Sequence, residues 1–90
     1  MRAIITVNGS DRTGIIYNVT KVLMEYEMNI IDVSQTIMGG NLFVMMMMIE
    51  GKDLQTLVPL LADRFDLLGE RLGVSIRIQR AEVFQAMHQI

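Results

Sequence analysis

The residues best suited to binding chemistry form one polar run near the N-terminus, Asn8-Gly9-Ser10-Asp11-Arg12-Thr13-Gly14-Ile15. Within it, Arg12 can hold a carboxylate through charge-assisted hydrogen bonds, and the neighbouring Asp11 can accept an ammonium group. The pair is therefore complementary to a zwitterion. The smallest common zwitterions are free amino acids.

The run lies between a strand pattern and a helix pattern, which favours the same chemistry. The first turn of a helix presents unpaired backbone N–H groups that attract a carboxylate. Gly14 would let a ligand approach closely, because it has no Cβ. A simpler alternative is that Asp11 or Thr13 only caps the helix while Arg12 is solvated. Spacing alone favours that alternative, since loops of this composition are common.

The apolar periodicity predicts the elements that hold this loop. Residues 3–7 alternate as a strand, and a helix follows that Asn29 is expected to end. One face of this helix is predicted to carry Ile15, Ile16, Val19, Val22, Leu23 and Tyr26. A second strand with one polar face covers 31–37, and Gly39-Gly40 predicts a tight hairpin.

The second half of the chain repeats the pattern. A third strand over 42–49 leads to Asp53, which is placed to cap a second helix. Pro59 inside that helix implies either a kink or a regular helix beginning near Thr56. The helix is expected to end at Gly73, before a fourth strand of alternating residues. Its apolar stripe is predicted to be Leu54, Leu57, Leu61, Phe65, Leu68 and Leu72.

This order predicts an α+β fold, the ferredoxin-like βαββαβ sandwich, with a four-stranded antiparallel sheet and two helices on one face. Residues 1–80 would form the domain. Residues 81–90 would form a short amphipathic C-terminal segment, packed on the domain or on a partner subunit.

The third strand predicts self-association, because it is apolar on both sides. One of two apolar sets of side chains must face away from the helices. The two sets are Phe43, Met45, Met47 and Ile49, and Leu42, Val44, Met46 and Met48. Full burial of such a set contributes roughly 6 to 12 kcal/mol before entropy losses. A second copy, another protein or the C-terminal segment could cover it. We expect a homodimer to which that segment contributes.

Metal and cofactor chemistry is not expected. Alternation lets only two of the side chains of Met45–Met48 converge on one side, so core and interface packing is favoured over copper ligation. His88 is the single histidine and there is no cysteine, so we predict neither a metal nor a cofactor.

Charge and hydropathy exclude further classes. The net charge of −2 argues against nucleic-acid binding. The longest apolar run, 42–49, is shorter than the 18 or so residues that span a bilayer. The N-terminal residues turn polar too soon for a signal peptide. A cytoplasmic protein that does not associate with membranes is expected.

The stretch Asp11-Arg12-Thr13-Gly14-Ile15, followed by Met28-Asn29-Ile30, resembles the ACT domain family. The element order agrees over residues 1 to about 80. The stretch Ile31–Met38 and the ending Val83-Phe84-Gln85-Ala86-Met87-His88 are similar to small stand-alone ACT proteins related to the glycine-cleavage transcriptional repressor. Many family members have proline where this chain has Thr13.

The resemblance implies a regulatory module that is not an enzyme and that binds a free amino acid at a subunit interface. It would act on a separate, unidentified protein. The matching loop positions are Asp11, Arg12, Gly14 and Ile15, and geometry adds Asn8 and Ser10. The predicted ligand-binding residues are thus Asn8, Ser10, Asp11, Arg12, Gly14 and Ile15.

Three other functions remain as alternatives. One is a protein-interaction dimer with no metabolite ligand. Another is an acylphosphatase-like enzyme, in which Arg12 and Asn41 would hold a phosphate and water, although the glycine-rich phosphate cradle is missing. The third, an RNA-recognition module, needs aromatic residues on the first and third strands, and only Phe43 is present there.

Overall fold

The computed structural model describes residues 1–10 and 14–88, with side chains as far as Gln85. The strands are β1 (Arg2–Ser10), β2 (Asn29–Met38), β3 (Leu42–Glu50) and β4 (Ser75–Arg80). The helices are α1 (Ile15–Glu25), α2 (Leu54–Leu72) and α3 (Ala81–His88). The predicted α+β ferredoxin-like order is confirmed.

The sheet is antiparallel throughout, in the order β2-β3-β1-β4. Both central strands, β1 and β3, turn alternate side chains toward α1 and α2. The face that packs against those helices carries Ala3, Ile5, Val7, Phe43, Met45, Met47 and Ile49, all buried. The remaining face of the sheet, which we name the open face, carries the other set of β3 side chains.

The open face is partly covered near one end. Ile4 points to it and is buried, yet lies outside the main core cluster. We assign its burial to α3, which packs against β1 and β4. Farther along, Leu42 is 44% exposed and Met46 is 36% exposed. The predicted alternation of the methionines is therefore confirmed, with Met45 and Met47 buried.

The hairpin between β2 and β3 also forms as predicted. Gly39 and Gly40 have φ values of 61° and 87°, which glycine adopts without steric strain. Beyond the hairpin, β2 is an edge strand whose residues are all exposed.

The first helix differs from its prediction in two ways. It ends at Glu25, and Asn29 already begins β2. Ile16 was predicted on the buried face, but its side chain is 42% exposed. With 100° between successive residues, Ile16 lies on the flank of α1 opposite the residues that approach α2, so none of the described helices covers it.

The second helix carries the predicted apolar stripe, but its N-terminus is capped differently from the prediction. Asp53 is the N-cap residue with φ 58°, and no side-chain hydrogen bond caps the helix. Instead, the backbone carbonyl of Asp53 accepts the N–H groups of Thr56 and Leu57. Because α2 begins at Leu54, a start near Thr56 is wrong, and Pro59 lies in the helix interior. Gly73 ends the helix at φ 73°, as predicted.

Candidate ligand-binding site

The end of β1 presents two of the predicted residues on the open face. Asn8 lies opposite Val44 on one side and Ser75 on the other, while Ser10 lies opposite Leu42. Both polar side chains are exposed. They therefore adjoin the apolar side chains that the open face leaves exposed.

Gly9, between them, is packed tightly against the α2–β4 connection. A Cβ added to Gly9 would lie 2.5 Å from Cγ1 of Val74 and 2.9 Å from its Cβ. Val74 in turn donates its backbone N–H to the carbonyl of Gly69 at 3.0 Å. This contact packs the end of β1 closely against the α2–β4 connection.

On the other side of the loop, Gly14 is the N-cap of α1 with φ 91°, a conformation that glycine favours. Its carbonyl accepts the backbone N–H of Asn18 at 2.9 Å and the side-chain Nδ2 of Asn18 at 2.8 Å. Among the described residues, no side chain caps the first turn of α1.

Ile15 takes a different position from the polar residues. Its side chain is 2% exposed and belongs to the core between α1 and the sheet. Only its backbone could therefore face a ligand. Asp11 and Arg12, the predicted charged pair, lie outside the described residues, as does Thr13.

A cavity of about 640 Å³ adjoins Asn8 and contains charged residues that the sequence interpretation missed. Arg77 of β4 lines it, together with Asp66 and Glu70 of α2. Across residues 1–10 and 14–88, none of these three makes an ion pair. A guanidinium and carboxylates in one cavity could hold the two charges of a zwitterion.

These residues could not be found from motif spacing. Arg77 and Ser75 lie more than sixty positions from the loop in sequence. They reach Asn8 only through the β1–β4 register, which pairs Asn8 with Ser75 and Thr6 with Arg77. The alternation of polar and apolar residues along β4 is the one feature of the sequence that points to these residues.

Other chemistry receives no support from the described part of the chain. No group of three His, Cys, Asp or Glu residues could hold a metal ion there. Asn41, which the acylphosphatase alternative needs on a strand, lies in the hairpin turn before β3. No helix among the residues described is long and apolar enough to cross a membrane.

Comparisons with known proteins agree with this fold. The sequence profile of the ACT domain matches residues 2–79. A UPF0237 protein of Lactococcus lactis is 44% identical over 92 residues, covering 100% of both chains.

Two solved structures are also similar. An ACT domain protein from Streptococcus pneumoniae has a TM-score of 0.74 and 38% identity, covering 98% of each chain. A protein assigned as a glycine cleavage system transcriptional repressor has a TM-score of 0.68 and 25% identity, and the match covers 89% of this chain and 45% of that one. The profile match and the identity over the length of this chain place it in the ACT domain family.

Proposed function

We propose that this ACT domain is a regulatory module that binds a free amino acid at a homodimer interface and acts on a separate protein. One observation carries the proposal. Asn8 and Ser10 lie directly beside Val44 and Leu42 on the open face, so polar ligand contacts adjoin exposed apolar surface. A surface that closes against a second copy would also enclose these contacts.

The exposed apolar side chains support the homodimer. Met38, Leu42 and Met46 remain between 36% and 53% exposed after α3 has packed on the sheet. An exposed apolar row of this kind is typical of an interaction surface. A two-fold dimer would bury the same row twice, once from each copy.

The charges near the loop support an amino-acid ligand. Asp11 and Arg12 belong to the loop, and Arg77, Asp66 and Glu70 line the cavity beside Asn8. The loop sequence and the cavity each supply cationic and anionic groups that suit the carboxylate and the ammonium of a single ligand.

Calorimetric titration of the full chain with each common amino acid at millimolar concentration tests the ligand. A glycine-sized ligand has about five heavy atoms, and a ceiling near 1.5 kcal/mol per atom limits the dissociation constant to about micromolar or weaker. We expect saturable heat from at least one amino acid, lost in Arg12→Gln and kept in Lys52→Gln, an exposed cation away from the loop.

The alternative, a protein-interaction dimer with no metabolite ligand, predicts a different result. In that case the chain would dimerise, and no amino acid would give heat or a thermal shift. That outcome would remove the ligand from the proposal and leave the dimer.

A further inference from the structure

A groove of about 370 Å³ lies between α1 and α2, on the side of the helices away from the sheet. Its floor is apolar, formed by Val22 and Leu68, which are 5% and 6% exposed. Polar and charged side chains of both helices form its walls. This groove lies across the sheet from the open face.

One end of the groove is electrically balanced. Arg64 Nη1 lies 3.0 Å from Oε2 of Glu25 and 3.4 Å from the hydroxyl of Tyr26, whose ring centroid is 5.8 Å from the guanidinium carbon. The hydrogen bonds to Glu25 and then to Tyr26 raise the pKa of Arg64 above its ordinary value. This guanidinium is fixed in place and its charge is compensated.

The other end carries cations without a counter-charge. The helical rise of about 1.5 Å per residue places Lys21 about 6 Å along α1 from Glu25, and Arg71 about 10 Å along α2 from Arg64. Both line the groove, and neither makes an ion pair within the described residues. Two like charges that face one groove repel each other unless an anion lies between them.

Asn18 adds a neutral donor at the same end. Its Nδ2 uses one hydrogen in the bond to the Gly14 carbonyl, and the second has no acceptor among the residues described. The groove lining as a whole has three cationic side chains and one carboxylate, a net charge of +2 in a chain of net charge −2.

We propose that this groove binds a compact polyanion, a small molecule with at least two anionic oxygen-bearing groups. Lys21 and Arg71 would hold its charges, and the amide of Asn18 would donate to one of its oxygens. Phosphate and carboxylate groups both suit a guanidinium fork and an ammonium group, so either could supply the charge.

The test is an NMR titration of the ¹⁵N-labelled full chain, with sodium pyrophosphate in one arm and sodium citrate in the other. Sodium chloride keeps the ionic strength constant, because added salt alone would screen surface charges. The variant is Lys21→Gln with Arg71→Gln. Its matched control is Lys52→Gln with Arg2→Gln, which removes two exposed cations outside the groove.

We expect saturable shifts of the Asn18, Lys21 and Arg71 amide resonances in at least one arm. The arm that saturates identifies the anion as phosphate or carboxylate, and saturation in both shows that the groove accepts either. The groove variant should raise the dissociation constant at least tenfold, and the control variant should raise it less than twofold. Absence of saturable shifts in both arms, or an equal loss in variant and control, would overturn the proposal.

Discussion

Single residues determine the packing on either side of the connection between β1 and α1. Gly9 and Gly14 flank the loop, and they are required for different reasons. Gly14 adopts a left-handed backbone conformation, whereas Gly9 leaves room for Val74. Asn18 then ties the Gly14 carbonyl to α1, and the same residue lines the groove between the helices. The loop therefore departs from one tightly packed strand end and joins a hydrogen-bonded helix start.

The close approach of Gly9 to Val74 yields a stability prediction. Gly9→Ala places a Cβ within 3 Å of Val74, which cannot retreat freely because its backbone is bonded to Gly69. We expect a loss of about 1 to 3 kcal/mol in the free energy of unfolding, measured by chemical denaturation. Ser10→Ala, at the exposed neighbouring position, should change it by less than about 0.5 kcal/mol. Equal stabilities of the two variants would contradict the packing.

At the scale of elements, the sequence patterns correctly predicted the features that depend on local periodicity. The hairpin at Gly39-Gly40, the end of α2 at Gly73 and the alternation along β3 were all predicted correctly. These features follow from backbone conformation and from side-chain period within one segment. The pattern could not indicate which side of β3 faces the helices, since both sets are apolar.

Other features depend on neighbours distant in sequence or on backbone conformation. Ile16 fits a helical face by spacing but lies on the flank that no helix of the described residues covers. Asn8 was predicted as a ligand contact, but its association with Ser75 and Arg77 depends on strand register. Asp53 was correctly predicted as the N-cap residue of α2. It caps the helix through its backbone carbonyl rather than its side chain, because it adopts a left-handed conformation.

The two sides of β3 should respond differently to truncation. Met47 is 1% exposed and Met46 is 36% exposed, so the pair compares the core with the open face at adjacent positions. We expect Met47→Ala to lower the free energy of unfolding by about 2 to 5 kcal/mol. Met46→Ala should lower it by less than Met47→Ala does, because Met46 is partly exposed within one chain. A reversed order in denaturation experiments would refute the assigned orientation of β3.

The interior proline of α2 leads to a stabilising substitution. Pro59 lacks the N–H that would bond to the carbonyl of Gln55, and its side chain is exposed. Proline is about 3 kcal/mol less favourable than alanine in a helix interior. Part of this cost is offset because proline also lowers the conformational entropy of the unfolded chain. We expect Pro59→Ala to raise the unfolding free energy by about 1 to 2 kcal/mol and the thermal midpoint with it. Gln55→Ala, an exposed control in the same helix, should leave both nearly unchanged.

At the scale of the whole molecule, the sheet separates two kinds of surface. The helix side encloses the core and carries the charged groove, whereas the open side keeps Leu42 and Met46 exposed beside Asn8 and Ser10. The helix α3 packs against β1 and β4 and leaves the β2–β3 part of the open face uncovered. The proposed self-association would therefore use the open face, with the helix side left for other molecules.

Sedimentation velocity at micromolar concentration tests the proposed dimer most directly. We predict a species of twice the 10.2 kDa chain mass, shifted to a single chain in Met46→Lys on the open face. Met24→Lys changes an exposed methionine of α1 and should leave the dimer intact. A folded wild-type chain that sediments at 10.2 kDa would contradict both the dimer and the ligand site at its interface.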